Sequence, residues 1–201
     1  APKIAEGMVA TVIEFPFNAL LLYFGADVNA AYQIGRRVYQ QVTSPLSRGL
    51  NVGASIVVGQ ALGEGRPAQA RYNGWATAAL GLCTVGAIGL VLAVFADPLA
   101  SLFTDDPDTL PTAGAFAFTY GITAPATVLY VSLAGALQGG SDTRTPFIAR
   151  TVGLLVFYLG FSGVTSVWLD WGVFGIYVGI FLYYLSALCI VAVGFQYGGW
   201  A

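Results

Sequence analysis

Four charged residues fall inside long apolar stretches of this chain: Glu14, Arg36, Arg37 and Arg48. In a soluble protein they would be ordinary surface charges. Inside a bilayer a charge is costly, faces a bundle interior or a wet cavity, and marks an ion or substrate path. Arg37 also belongs to a longer pattern. Gln33, Arg37, Gln41, Ser44, Arg48, Asn51 and Ser55 recur at spacings of four or three residues, which puts them on one face of a helix. Val38, Val42, Leu46 and Ile56 occupy the opposite face. Such a polar stripe has to be satisfied within the membrane, and the lining of a water-filled cavity would do so.

Glu14 and Arg37 each lie about ten residues from the turn at Gly25-Ala26-Asp27, so on antiparallel helices they share a depth. Consecutive helical residues diverge by about 100°, so only one of Arg36 and Arg37 can face Glu14, and Arg37 is the one in the stripe. Two roles are open for Glu14. It forms a structural ion pair, or it exchanges Arg37 for a proton, Na⁺ or a cationic substrate and couples ion binding to a conformational change. Pro16 frees the carbonyl of Val12 for a cation or water, and Asn18 follows Glu14 by one turn on the same face; a plain kink is the simpler alternative. Tyr120, Thr123, Thr127 and Tyr130 form another single-face set. They bond between helices, or they wall a cavity suited to planar or cationic organic ligands.

The elements that must hold these residues are membrane spans. The chain has 201 residues, 57% hydrophobic and 9% charged, far from the roughly 25% charge of soluble domains. About 20 apolar residues cross a bilayer as a helix. Six candidates fit, at residues 3–24, 28–60, 68–96, 109–137, 147–168 and 173–195. The striped second span is longer than a bilayer core, so it tilts or bends at Pro45; Pro125 kinks the fourth. Residues 99–103 are read as lying in the interface, Trp168 and Trp171 as sitting at interfacial depth, and Gly81, Gly86 and Gly89 as permitting close helix contact. One set of turns holds Asp27, Asp97, Asp105, Asp106, Asp108 and Asp170; the other side holds Lys3, Arg66, Arg71, Arg144 and Arg150. Basic residues mark the cytoplasmic side, which puts both termini inside a plasma-membrane, multi-pass protein.

Several classes are set aside. With no histidine, and Cys83 far from Cys189, neither a metal site nor a redox motif is expected. No catalytic residue set is expected either. A net charge of −2 offers nothing to nucleic acid. Arg outnumbers Lys and Asp outnumbers Glu, a usage that suits a high-salt, haloarchaeal exterior. The opening Ala1 reads as a fragment or a truncated form.

Two polar loops carry the most specific signal. Residues 58–71, VGQALGEGRPAQAR, resemble the "GQ-x-LG-x-G … A-R" loop of multidrug and toxic compound extrusion (MATE) transporters. Residues 137–146, LQGGSDTRTP, resemble that family's "L-[RQ]-G-x-GDT-R-x-P" loop. Residues 30–34, AAYQI, and Pro45 resemble its eighth helix. The resemblance covers essentially the whole chain. It implies an all-α integral membrane fold: a six-helix lobe, the C-terminal half of a twelve-helix pseudosymmetric transporter, with residues 1–201 as helices 7 to 12. It implies efflux of organic, often cationic, compounds coupled to inward H⁺ or Na⁺ by alternating access. Partners would be membrane lipid, a small organic substrate and an N-terminal lobe or a second copy. No cofactor is implied beyond the coupling ion.

Gly59, Gln60, Gly63 and Gly65 in the first loop, and Gln138, Gly139, Asp142, Arg144 and Pro146 in the second, are expected to serve structural or gating roles. Their glycines allow tight, reversible turns, and Asp142 and Arg144 can bond backbone or the other loop. Two positions depart from NorM-type members. By the register of Pro2 and Gln33, Ala10 stands where that group has a coupling Glu, and Thr127 where it has an Asp. A DinF-type branch fits that pattern better. Other possibilities are a lipid or polysaccharide flippase of the same superfamily, or a six-helix channel or oligomer. Arg37 and Arg48 also make the stripe more basic than a cation exporter would want: either Glu14 offsets Arg37, or the substrates are not simply cationic.

Overall fold

The structure is a computed structural model that describes residues 2–200, apart from the side chains of residues 2–6, 9 and 10. Lys3, Pro2 and the Ala10 position therefore lie outside the described side chains. Six long helices run back and forth: α1 (Pro2–Tyr23), α2 (Ala26–Gly63), α3 (Pro67–Val94), α5 (Leu110–Gly139), α6 (Arg144–Trp168) and α7 (Val173–Tyr197), with a short α4 (Ala96–Ala100) between α3 and α5. No strand occurs among the described residues. Among the described residues, four helices, α3, α5, α6 and α7, combine spanning length with an apolar composition. The striped α2 is more polar than these, and its 38 residues cover about 57 Å at 1.5 Å per residue. The helix ends move by a few residues from the expected spans. A short helix forms at Ala96–Ala100, overlapping the expected residues 99–103 only at its end.

The centre of the bundle is α5. In its most apolar window 72% of residues are buried, against 28–33% for α3, α6 and α7. The cause is its run of small residues. A Cβ on Gly135 or Gly139 would strike the backbone of Asn51 or Ser55 on α2, so these two helices touch backbone to backbone. Gly35 of α2 meets Phe116 and Ala117 in the same way. On α3, Gly81, Gly86 and Gly89 pack against Val128, Pro125 and Ala124, as expected of close-contact glycines.

The buried face of α2 is not the apolar one. Tyr32, Tyr39, Thr43, Ser47, Ala54 and Val58 are buried, while Val42, Leu46 and Ile56 are exposed and only Val38 of that set is buried. Lipid is as apolar as leucine, so large apolar side chains gain little by turning inward, and small or hydrogen-bonded residues occupy the helix contacts. Helices α3 and α6 contain π-helical turns, at Leu82–Gly86 and over much of Gly153–Trp168. The helices continue through Pro16, Pro45 and Pro125. Trp168 and Trp171 are both exposed at the turn before α7.

Candidate functional site

Helix α1 delivers Glu14 and α2 delivers the arginines, and the turn at Phe24-Gly25 sets them at one depth. The register is as expected, but the rotation is not. Arg36, rather than Arg37, reaches Glu14, with Nη2 donating to Oε1 at 3.1 Å. Arg36 Nη1 also donates to the Tyr32 hydroxyl at 3.4 Å, and that hydroxyl lies 2.6 Å from the hydroxyl of Tyr158 on α6. Phe17 stacks on Tyr158 with ring centroids 4.0 Å apart. Hence one chain of contacts ties α1, α2 and α6 together at the charge pair. Assigning Arg37 to Glu14 fails because α2 turns its stripe away from α1 and presents the adjacent position. Asn18 is half-buried, with no hydrogen bond to Glu14 among the described residues.

The stripe does line open space, in part. A cavity of about 490 Å³ lies between Gln40, Thr43, Ser44, Ser47, Arg48 and Asn51 of α2, Thr127 and Tyr130 of α5, Arg150 of α6, and Tyr183 and Tyr184 of α7. A second space of about 520 Å³ runs along α2 past Arg37, Gln41, Ser44 and Arg48. A third, about 310 Å³, continues from Asn51 and Tyr130 to Gln138 and Arg150. Shared lining residues join the three. No described residue lining them is acidic. Asn51 also donates to the Val131 carbonyl at 2.8 Å, which fixes α2 against α5 beside the cavity.

Three expected lining residues are elsewhere. Gln33 is half-buried and borders none of these spaces. Tyr120 is buried in the aromatic core, stacked on Tyr39, and Thr123 is fully buried. Thr123 and Thr127 donate to carbonyls of their own helix, at Tyr120 and Thr123. Other lining residues escaped the sequence pattern. Thr43 and Ser47, one turn apart, carried a weak signal as small polar groups. Arg150, expected at the cytoplasmic flank, lies far enough into α6 to reach the cavity. Tyr183 and Tyr184 are adjacent hydroxyl-bearing positions in a mainly apolar helix.

A larger concavity, about 810 Å³, opens between α3, α5 and α7. It is bordered by Phe118, Phe174 and Phe181 and by none of the stripe residues. Exposed rings of this kind occur all round the bundle, so size alone does not make this space the site.

The two loops share one backbone device. After α2, Gly65 N–H bonds to Leu62 O and Arg66 N–H to Ala61 O, with Gly65 at φ +72°. After α5, Ser141 N–H bonds to Gln138 O and Asp142 N–H to Leu137 O, with Ser141 at φ +66°. Both are Schellman caps. Only Gly65 among the expected glycines supplies the left-handed residue. Gly139 and Gly140 serve close approach instead, to Ser55 and to Trp200, while Gly63 meets nothing within 4 Å. Gly59 approaches the Gly139 carbonyl. Asp142 caps α6: one carboxylate oxygen accepts from the N–H groups of Arg144 and Thr145, the other from the Thr145 hydroxyl. Asp142 thus bonds its own helix, not the other loop. Pro146 is buried in the first turn of α6. Gln60 and Arg144 are exposed and Gln138 half-buried.

The chain is 33% identical over 155 residues to the probable multidrug resistance protein NorM of Rhodopseudomonas palustris, covering 75% of this chain and 32% of that protein. It is 32% identical over 150 residues to the multidrug resistance protein NorM of Burkholderia vietnamiensis, covering 72% and 31%. The chain therefore spans about a third of the length of these curated relatives. Its fold is shared with the crystal structure of the eukaryotic MATE transporter AtDTX14, at a TM-score of 0.78 and 16% identity over 94% of this chain and 43% of that one. The family model MatE matches residues 2–164, most of the sequence, and the chain belongs to the MatE family.

Proposed function

We propose that this chain is one lobe of a secondary active exporter of small organic compounds, working by alternating access against a second lobe and driven by inward H⁺ or Na⁺. The carrying observation is the polar cavity. It opens on the exposed side of α2, where Arg37, Gln41 and Arg48 stand uncovered. Polar groups at bilayer depth have to face water or protein. A second lobe over this side would enclose the space and give it two alternately open ends. The lobe's other faces, with their exposed aromatic and aliphatic side chains, meet lipid. The arginine-bearing ends lie in the cytoplasm, and with them both termini.

Coupling is assigned to Glu14. It is half exposed, and its partner Arg36 stands on the same helix as the stripe. Uptake of a proton or Na⁺ by Glu14 would release Arg36 and remove one tie between α1 and α2, which is a change a two-state rearrangement can use. The test is transport by the transporter that contains this lobe with its upstream lobe, reconstituted in liposomes under an imposed H⁺ or Na⁺ gradient. Gradient-driven movement of a fluorescent organic dye is expected, and Glu14→Gln should abolish the gradient dependence while leaving dye binding. Unchanged coupling in Glu14→Gln would remove Glu14 from the mechanism.

A further inference from the structure

Arg37 and Arg48 are exposed on α2 and have no ion-pair partner among the described residues. The carboxylate that could have neutralised Arg37 is turned to Arg36. Arg48 borders both larger spaces, and no described residue lining either is acidic. An arginine at bilayer depth faces a wet cavity or pairs with a backbone carbonyl or an anion, and at Arg48 an anionic group of a substrate can fill that place. Its planar fork fits a carboxylate or sulfonate through two parallel hydrogen bonds. Beside Arg48, the rings of Tyr39, Tyr130 and Tyr184 border the same cavity and offer flat walls to an aromatic body. The volume, about 490 Å³, lies in the range of small-molecule sites.

We infer that this lobe takes the acidic end of its substrate at Arg48, with Arg37 along the approach, and that the substrates are aromatic organic acids, anionic or zwitterionic, rather than simple cations. This rests on the export function proposed above. The same positive wall that receives an organic anion repels a cation, so the arginines would set charge selectivity as well as affinity.

Two dyes with a shared xanthene ring system separate the charge classes: fluorescein, an anion, and rhodamine 6G, a cation. Binding is measured by fluorescence anisotropy on the whole transporter in lipid nanodiscs, and transport in liposomes. Fluorescein is expected to bind, to weaken by roughly tenfold or more in Arg48→Gln, and to recover in part in Arg48→Lys. Rhodamine 6G should not weaken. Fluorescein binding unaffected by Arg48→Gln would overturn the inference. So would stronger rhodamine 6G binding in that variant with fluorescein unchanged, which would mean that Arg48 faces a carboxylate of the opposing lobe. Gradient-driven transport of rhodamine 6G with fluorescein neither bound nor moved overturns the inference and leaves export standing. Fluorescein bound through Arg48, with neither dye moved under either gradient, overturns export and leaves the site. Arg48 is exposed, so its replacement does not put folding in question.

Discussion

Replacing Arg36 by Gln should uncouple Glu14, and replacing Arg37 by Gln should not. The guanidinium–carboxylate distance is 3.1 Å, with the two side chains 30% and 49% exposed. Pairs this open to solvent are worth about 0.2–1 kcal/mol. A double-mutant cycle of Glu14→Gln with Arg36→Gln should therefore return a coupling of about 0.5–1 kcal/mol. The cycle with Arg37→Gln should return zero within about 0.3 kcal/mol, the ordinary additivity error. Arg36→Gln alone should cost more than the coupling, because it also breaks the contact with the Tyr32 hydroxyl. A suitable assay is SDS-driven unfolding of the purified whole transporter in bicelles, followed by tryptophan fluorescence, with each variant also tested for dye transport. A coupling with Arg37 as large as that with Arg36 would refute the rotation assigned to α2. Everything built on Arg37 being unpaired would then fall with it.

Asp142→Ala should destabilise the start of α6 by about 1–2 kcal/mol, read as faster hydrogen exchange at the Arg144 and Thr145 amides, while Asp142→Asn should cost much less because an amide oxygen can still accept those bonds. An Asn variant that stays folded and protected but loses transport would show that Asp142 does more than cap. Gly135→Val and Gly139→Val should push α2 off α5 and lower the yield of folded protein on size exclusion, whereas Gly63→Ala should be neutral. At the opposite end, the Thr109 hydroxyl, followed by the Asp108 N–H, holds the Asp106 carboxyl below its ordinary range. A lowered folded value means that the contribution is present above about pH 3.9, the unfolded value, and is lost as pH falls through the folded one. Thr109→Val should return the Asp106 titration towards the ordinary carboxylate range, measured by carbon NMR of labelled aspartate; an unmoved titration would mean that the hydroxyl is not the cause.

The sequence by itself determined the class, the number of long helices and the register that sets Glu14 level with the arginines of α2. Those depend on local quantities: hydropathy over a span, 1.5 Å of rise per residue, and turn residues at the ends. The loop motifs pointed to the family for the same reason, since helix caps and turns are short-range structures. Position around each helix was a matter for the tertiary structure alone. Sequence periodicity tells which residues share a face, but in a bilayer it does not tell which face turns inward, because apolar side chains are as well placed against lipid as against protein. So Val42, Leu46 and Ile56 went outward, and the helix contacts passed to Gly135, Gly139, Asn51 and Ser55. The same rotation set Glu14 against Arg36, withdrew Tyr120 and Thr123 into the core, and brought Arg150, Tyr183 and Tyr184 to the cavity from helices that the stripe never touches in sequence.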